Sequence, residues 1–308
     1  MNLRILSDKL KIRIMKKIIH PLFIILILGL CFAIGCATPQ KIKTSKLAEQ
    51  HNDIGVTYLE KGLLDEAIME FEIAIEIDKK FSQGYNNLGL AYLRKGWLDR
   101  AINTFKNAIK LNSNWAEPYN NIGVAYFQKG FYNEAITQFK KAINNNPNYP
   151  EAYYNLGTLY AKHGLNNEAL NMMMKAIEVN SEYAEAHNFI GVIYMNDGIY
   201  DKAEIRFKVA LEIKPEYDMA YFNLGLLYEM REEEVSALKA YEKVIEINPV
   251  YTQAYLNIGK LCLKHKLYDE AIKYFKEALK IEPTNLEAQK SLDAAKRKRV
   301  EVLEPLLE

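Results

Sequence analysis

The residue types that could carry out acid–base, nucleophilic or metal chemistry are spread thinly along this chain. The five histidines lie singly and far apart: His20, His51, His163, His187 and His265. None has a cysteine or a second histidine at zinc-ligand spacing, and no glycine-rich phosphate loop occurs. Carboxylate pairs such as Asp65-Glu66 and Asp269-Glu270 recur where helices are predicted to begin, which indicates helix-terminus stabilisation. The sequence therefore predicts a protein that is not an enzyme and that holds no metal or cofactor.

Cysteine chemistry is concentrated at the N-terminus, where Cys36 ends the segment Ala33-Ile34-Gly35-Cys36. Upstream, Met15 is followed by two lysines and then by an uncharged apolar run from Leu22 to Leu30. A positive start, a short apolar run and small residues before a boundary predict a secretory signal. A membrane-spanning helix is disfavoured because it needs roughly 20 apolar residues.

This boundary resembles that of bacterial lipoproteins, in which the cysteine after a small residue is lipidated and becomes the N-terminus. The resemblance implies a signal peptide over residues 1–35, a lipid on Cys36 and a tether over residues 36–47, with translation starting at Met1 or Met15. Ala37 follows the cysteine, and the absence of aspartate there implies attachment to the outer membrane facing the periplasm. Inner-membrane attachment facing the same compartment and an uncleaved anchor helix are the alternatives.

The rest of the sequence repeats with a period of 34 residues. The most regular feature of the repeat is a glycine, at Gly55, Gly89, Gly123, Gly157, Gly191, Gly225 and Gly259. Three residues after each glycine stand Tyr58, Tyr92, Tyr126, Tyr160, Tyr194, Tyr228 and Cys262. Sixteen residues after each glycine stand Phe71, Phe105, Phe139, Met173, Phe207, Tyr241 and Phe275. Such self-similarity is typical of stacked repeats.

Within one period the spacing predicts two helices. Tyr85, Leu88, Gly89 and Tyr92 share one helix face, on which the glycine allows a neighbouring helix to approach closely. Gly96 is predicted to end that first helix. A second helix then presents small and large apolar residues in alternation. Cys262, which replaces a tyrosine of the pattern, is predicted to be a buried packing residue.

The pattern resembles the tetratricopeptide repeat, with tyrosine where that pattern has tryptophan (Tyr85, Tyr119, Tyr153, Tyr221, Tyr255) and proline near repeat ends (Pro147, Pro215, Pro249, Pro283). The resemblance implies an all-α, right-handed α-solenoid superhelix of seven helix-turn-helix hairpins. The predicted repeats are 48–81, 82–115, 116–149, 150–183, 184–217, 218–251 and 252–285. A capping helix and tail are predicted over residues 286–308.

By the geometry of that family, the side of each first helix opposite the glycine lines a concave groove, and we call this side the groove face. Two residues before each glycine it carries Asp53, Asn87, Asn121, Asn155, Phe189, Asn223 and Asn257. An asparagine side chain offers a donor and an acceptor, so such a row could bind the backbone of an extended peptide. It resembles the asparagine ladder of some tetratricopeptide superhelices. The alternative is a row of ordinary solvated helix residues.

Apolar residues thicken the groove face in repeats five and six: Phe189, Met219, Phe222, Leu226 and Met230. A helix side that faces only water should be polar, and exposed apolar clusters usually mark interaction sites. We therefore predict that this cluster is the centre of partner binding. Burial between adjacent repeats is the alternative.

Charge excludes one class of partner. Residues 1–35 hold six of the Lys and Arg residues and one Asp, so the remainder carries 34 basic and 38 acidic residues, a net charge of −4. No basic block is present to bind nucleic acid. The predicted partners are a protein or extended peptide segment in the groove and, through the lipid, a membrane.

Together these features predict a non-catalytic scaffold of the cell envelope that assists assembly of an envelope complex. Lipid-anchored tetratricopeptide proteins of this kind resemble the pilotin-type assembly factors of type IV pili and secretins. The alternatives are an adaptor that recruits peptidoglycan-remodelling enzymes and the recognition arm of a separately encoded glycosyltransferase or peptidase.

Overall fold

The computed structural model describes residues 44–303, which fall into two compact units divided in sequence between Lys95 and Gly96. The predicted signal segment, Cys36 and the tail from residue 304 lie outside the described residues, so the lipid anchor stays a prediction. The first unit contains the helices α1 (Thr44–Glu60), α2 (Leu64–Ile77) and α3 (Ser82–Arg94).

The second unit contains twelve helices in the part of the chain that the structure describes. They are α4 (Leu98–Leu111), α5 (Ala116–Gln128), α6 (Tyr132–Asn145), α7 (Pro150–Lys162), α8 (Asn166–Val179), α9 (Ala184–Asn196), α10 (Tyr200–Ile213), α11 (Asp218–Met230), α12 (Glu234–Ile247), α13 (Thr252–Lys264), α14 (Tyr268–Ile281) and α15 (Leu286–Leu303). All regular structure within residues 44–303 is helical, which confirms the predicted all-α fold. None of these described helices has both the length and the apolar character needed to cross a bilayer.

Consecutive helices of the second unit form hairpins, because only a few residues join them. The helices α5, α7, α9, α11 and α13 are the first helices of these hairpins, and each packs on the helix that follows it. Each second helix also packs on the next first helix along the chain. The helix α15 packs on α14, where its Leu292 is buried, whereas Leu286 at its start is exposed.

Repeated glycines lie against a large side chain of their own hairpin, which is an aromatic ring at Gly191 and Gly225 and Met173 at Gly157. A Cβ added at Gly191 would lie 2.6 Å from Cε1 of Phe207, and one added at Gly225 would lie 2.5 Å from Cε1 of Tyr241. Real Cβ atoms essentially never come so close to a ring carbon, so only glycine lets the two helices meet here. The predicted role of the glycine is confirmed.

Cys262 is buried as predicted, and burial raises the pKa of its thiol.

A second series of glycines lies in the short turns that follow the first helices. Gly62, Gly96, Gly130, Gly164 and Gly198 all have φ between +72° and +79°. At the equivalent places in repeats six and seven stand Glu232 and Lys266, with φ of +61° and +59°. Residues with a Cβ pay about 1–2 kcal/mol for this left-handed backbone.

Replacing Glu232 or Lys266 by glycine is therefore expected to raise the free energy of unfolding by about 1 kcal/mol each, because the strained backbone is relieved. Urea unfolding followed by circular dichroism measures the change. Glu233→Gly is the control, since Glu233 has a φ of −87° and gains nothing from glycine. A Glu232→Gly variant no more stable than the parent would contradict the assignment of strain.

Candidate functional site

Asparagines of neighbouring first helices bond to one another along the groove face. In the first unit, Nδ2 of Asn87 donates to Oδ1 of Asn52 at 2.7 Å. In the second unit, Asn155 donates in the same way to Asn120 at 2.9 Å, and Asn223 donates to Asn188 at 3.0 Å. Each bond joins residues 35 positions apart. The amides therefore link successive hairpins, a role that the sequence analysis missed.

These bonds use only part of each amide. The accepting partners Asn52, Asn120 and Asn188 are buried, whereas Asn155 and Asn223 are half-buried. An asparagine that donates one of these bonds uses one N–H of its side-chain amide, and its second N–H and its carbonyl oxygen remain for other hydrogen bonds. The half-buried amides thus retain the groups that a peptide backbone needs, in an orientation that the buried partner fixes. A signal for the buried partners was available in the doublet Asn120-Asn121.

An aromatic pair interrupts the amide series between α7 and α9. Tyr154 and Phe189 occupy the two register positions that asparagines hold elsewhere, and their ring centroids lie 6.2 Å apart at 84°. The ring of Tyr183 lies 5.3 Å from that of Tyr154.

Two other asparagines of the predicted row are buried. They are Asn121 and Asn257, and the side-chain oxygen of Asn257 accepts a hydrogen bond from Nε2 of Gln253 at 3.1 Å.

The predicted apolar cluster divides into packed and exposed members. Phe222 is half-buried and its ring lies 5.6 Å from that of Tyr241 and 5.1 Å from that of Tyr251. Leu226 is half-buried against the hairpin cores. Packing on other side chains of the solenoid therefore covers part of Phe222 and Leu226. Met219 and Met230 remain 47% and 50% exposed and available to a partner.

The similarity of the chain to known proteins agrees with this geometry. Family models described as TPR repeat match residues 55–96, 94–130 and 125–164, and models described as tetratricopeptide repeat match residues 154–218, 220–251 and 252–285. The chain belongs to the tetratricopeptide repeat family. No curated protein matches it.

Solved tetratricopeptide structures share the fold. A tetratricopeptide repeat protein from Parabacteroides merdae is 22% identical with a TM-score of 0.58, over 81% of this chain and 99% of that one. The pilF structure from Pseudomonas aeruginosa is 17% identical with a TM-score of 0.59, over 67% of this chain and 94% of that one. YrrB, described as a TPR protein with an unusual peptide-binding site, is 30% identical with a TM-score of 0.45, over 60% of this chain and 95% of that one. The first two likenesses show the fold alone.

His187 occupies the tryptophan position of the tetratricopeptide pattern in repeat five and makes the same bond as a tyrosine. Its Nε2 lies 3.0 Å from the carbonyl oxygen of Ser181, six residues earlier. The hydroxyls of Tyr119 and Tyr255 donate to carbonyls six residues earlier as well, at 3.1 Å. On the other side of the ring, Nη1 of Arg206 lies 3.3 Å from Nδ1 of His187. The geometry fits a neutral imidazole, which donates from Nε2 and accepts at Nδ1.

Acidification is therefore expected to destabilise the fifth repeat. The pKa of His187 lies below its usual value, mainly because the ring is buried and also because Arg206 is positively charged. The unfolded chain therefore takes up a proton more readily than the folded one. The stabilisation is complete above the unfolded pKa of about 6.5 and is lost as the pH falls towards the lower folded pKa. Denaturant unfolding between about pH 7 and pH 5 should show a steeper loss in the parent than in His187→Tyr. His163→Gln, at an exposed histidine, is the control. Equal slopes in parent and His187→Tyr would contradict this.

Proposed function

We propose that the protein is a scaffold of the cell envelope that holds an extended segment of a partner protein along its groove face. A lipid on Cys36 would attach it to the outer membrane, facing the periplasm. The tetratricopeptide fold is typical of protein–protein interaction modules, and the residues described here form such hairpins. The export and the anchor are supported by the signal-like residues 15–36 of the sequence.

The observation that carries the proposal is the fixed orientation of the groove-face amides. Asn155 and Asn223 are each held by a bond to a buried asparagine of the preceding first helix and keep one donor and one acceptor. Groups fixed before a ligand arrives lose little conformational entropy when it binds. The exposed side chains of Met219 and Met230, which lie at the two ends of α11, supply adaptable apolar contacts.

A finer role follows from the proposed anchor. Outer-membrane attachment would place the groove face beside envelope machines, so we propose that the protein assists assembly of such a complex, of the type IV pilus or secretin kind. Recruitment of peptidoglycan-remodelling enzymes, or service as the recognition arm of a separately encoded glycosyltransferase or peptidase, would use the same face. The similarity to pilF concerns the fold and is not evidence for this role.

Photocrosslinking in living cells tests the proposal. A photoreactive residue at position 219 or 230 is expected to give a defined adduct, whereas one at position 205 or 235, at exposed apolar residues of second helices, gives none. Mass spectrometry of the adduct then distinguishes a pilus or secretin component from a peptidoglycan enzyme. Absence of any adduct from positions 219 and 230 would refute partner binding on the groove face.

A further inference from the structure

Lys214 shows how one position of this fold holds a cation. Lys214 follows the end of α10, and its Nζ lies 3.3 Å from Oε1 of Glu185 in the first turn of α9. The same Nζ lies 4.7 Å from the centroid of the Tyr217 ring, which precedes α11. A carboxylate and an aromatic face thus bind one ammonium group together, an arrangement in which the ion pair and the cation–π attraction add.

The preceding hairpin repeats this arrangement without the cation. Thirty-four residues earlier, Glu151 stands for Glu185 and Tyr183 for Tyr217, but Asn180 stands for Lys214. The backbone is the same at both places, with φ and ψ of −135° and 98° at Asn180 and −131° and 87° at Lys214. The Asn180 side chain bonds within its own loop, where its Oδ1 accepts from the backbone N–H of Glu182 at 3.0 Å. We call Glu151, Tyr183 and the adjoining Tyr154 the open cation site.

Glu185 and Tyr217 both contact Lys214, so we expect their counterparts Glu151 and Tyr183 to face the same space. The pKa of Tyr183 is raised, first by burial and next by the charge of Glu151. The Tyr154 ring meets the Tyr183 ring at 5.3 Å and 61°. Glu151 is exposed, and no lysine, arginine or histidine among residues 44–303 forms an ion pair with it. The position therefore presents two neighbouring aromatic rings and a carboxylate whose charge no side chain among residues 44–303 neutralises.

We propose that the open cation site binds a lysine or arginine side chain of the partner segment, in the way that Glu185 and Tyr217 bind Lys214. This inference rests on the proposed function, because it assigns a chemistry to the segment that the groove face holds. The half-buried Asn155, one residue beyond Tyr154, can take the backbone of the same segment. The net charge of −4 beyond residue 35 favours approach of a basic segment.

Peptide binding to the purified full chain tests the proposal. The probe is a fluorescein-labelled, extended Ser/Ala peptide of about twelve residues with three lysines, and its reference is the same peptide with three glutamines. Fluorescence anisotropy should show the lysine peptide binding about fivefold tighter or more, with a preference that weakens as salt is added.

Two variants localise that preference. Asn180→Lys should fill the open cation site from within, as Lys214 does 34 residues later, and remove the preference for lysine. Glu151→Gln should reduce it about fivefold. Asn103→Lys and Glu168→Gln are the matched controls, because they make the same charge changes at exposed positions of second helices. Unchanged far-ultraviolet circular dichroism verifies that each variant is folded.

The outcomes separate this inference from the function on which it rests. Loss of the lysine preference in Asn180→Lys and Glu151→Gln, but not in the controls, supports the open cation site. Equal binding of both peptides, or equal effects of variants and controls, overturns the site. In that case an adduct from position 219 or 230 would still support partner binding on the groove face, and its absence would remove the proposed function as well.

Discussion

Replacing Cys36 by serine is expected to release the protein from the membrane fraction, because the hydroxyl does not take the place of the thiol in lipid attachment. Each buried methylene of an acyl chain contributes roughly 0.8 kcal/mol to anchoring, so loss of two or more chains removes stable attachment altogether. Metabolic labelling with an alkyne fatty acid, followed by fractionation, measures both lipidation and location. We expect labelling to disappear and the protein to move to the soluble fraction or to accumulate unprocessed.

Cys31→Ser is the matched control for this prediction, since Cys31 lies five residues upstream in the same apolar region. That variant should keep its label and its membrane attachment. Unchanged labelling of Cys36→Ser would refute lipidation at Cys36. A full-length, unlabelled protein that stays in the membrane in both variants would instead support the uncleaved anchor helix. Density-gradient separation of the parent then distinguishes the outer from the inner membrane.

The second large effect is expected from placing negative charge on the exposed methionines of the groove face. Met219→Glu together with Met230→Glu should lower capture of the crosslinked partner by at least about tenfold, because two contacts lose apolar area and gain charges that must be desolvated. Stability should change little, since both side chains are about half exposed. Capture of the photocrosslinked partner by the double variant, compared with the parent, is the measurement.

Ile205→Glu with Val235→Glu provides the control, because these side chains are 59% and 71% exposed on the second helices α10 and α12. The control should capture the partner normally. Equal capture by both double variants would place the binding surface elsewhere. Phe222→Glu is a poorer choice for this purpose, since Phe222 packs on Tyr241 and Tyr251 and its replacement would disturb the hairpins themselves.

The sequence by itself determined the helical hairpins, because their packing partners are close together in the chain. The glycine at position 191 and the ring at position 207 are sixteen residues apart, and both belong to one 34-residue period. Such local contacts leave a repeated mark that a single sequence displays seven times. The turn glycines could be predicted for the same reason, because each turn is formed by residues adjacent in the chain. At Glu232 and Lys266 the chain adopts the same turn without glycine.

Only the tertiary structure decided which groove-face residues remain free to bind. The bonds from Asn155 to Asn120 and from Asn223 to Asn188 join different hairpins, and whether a side chain is covered depends on a neighbour about one period away. Phe222 and Met219 are both apolar and lie on one helix, but Phe222 packs on the rings of Tyr241 and Tyr251 whereas Met219 remains exposed. The open cation site became visible only when Lys214 was seen between Glu185 and Tyr217, since no sequence pattern states which side chains meet in space.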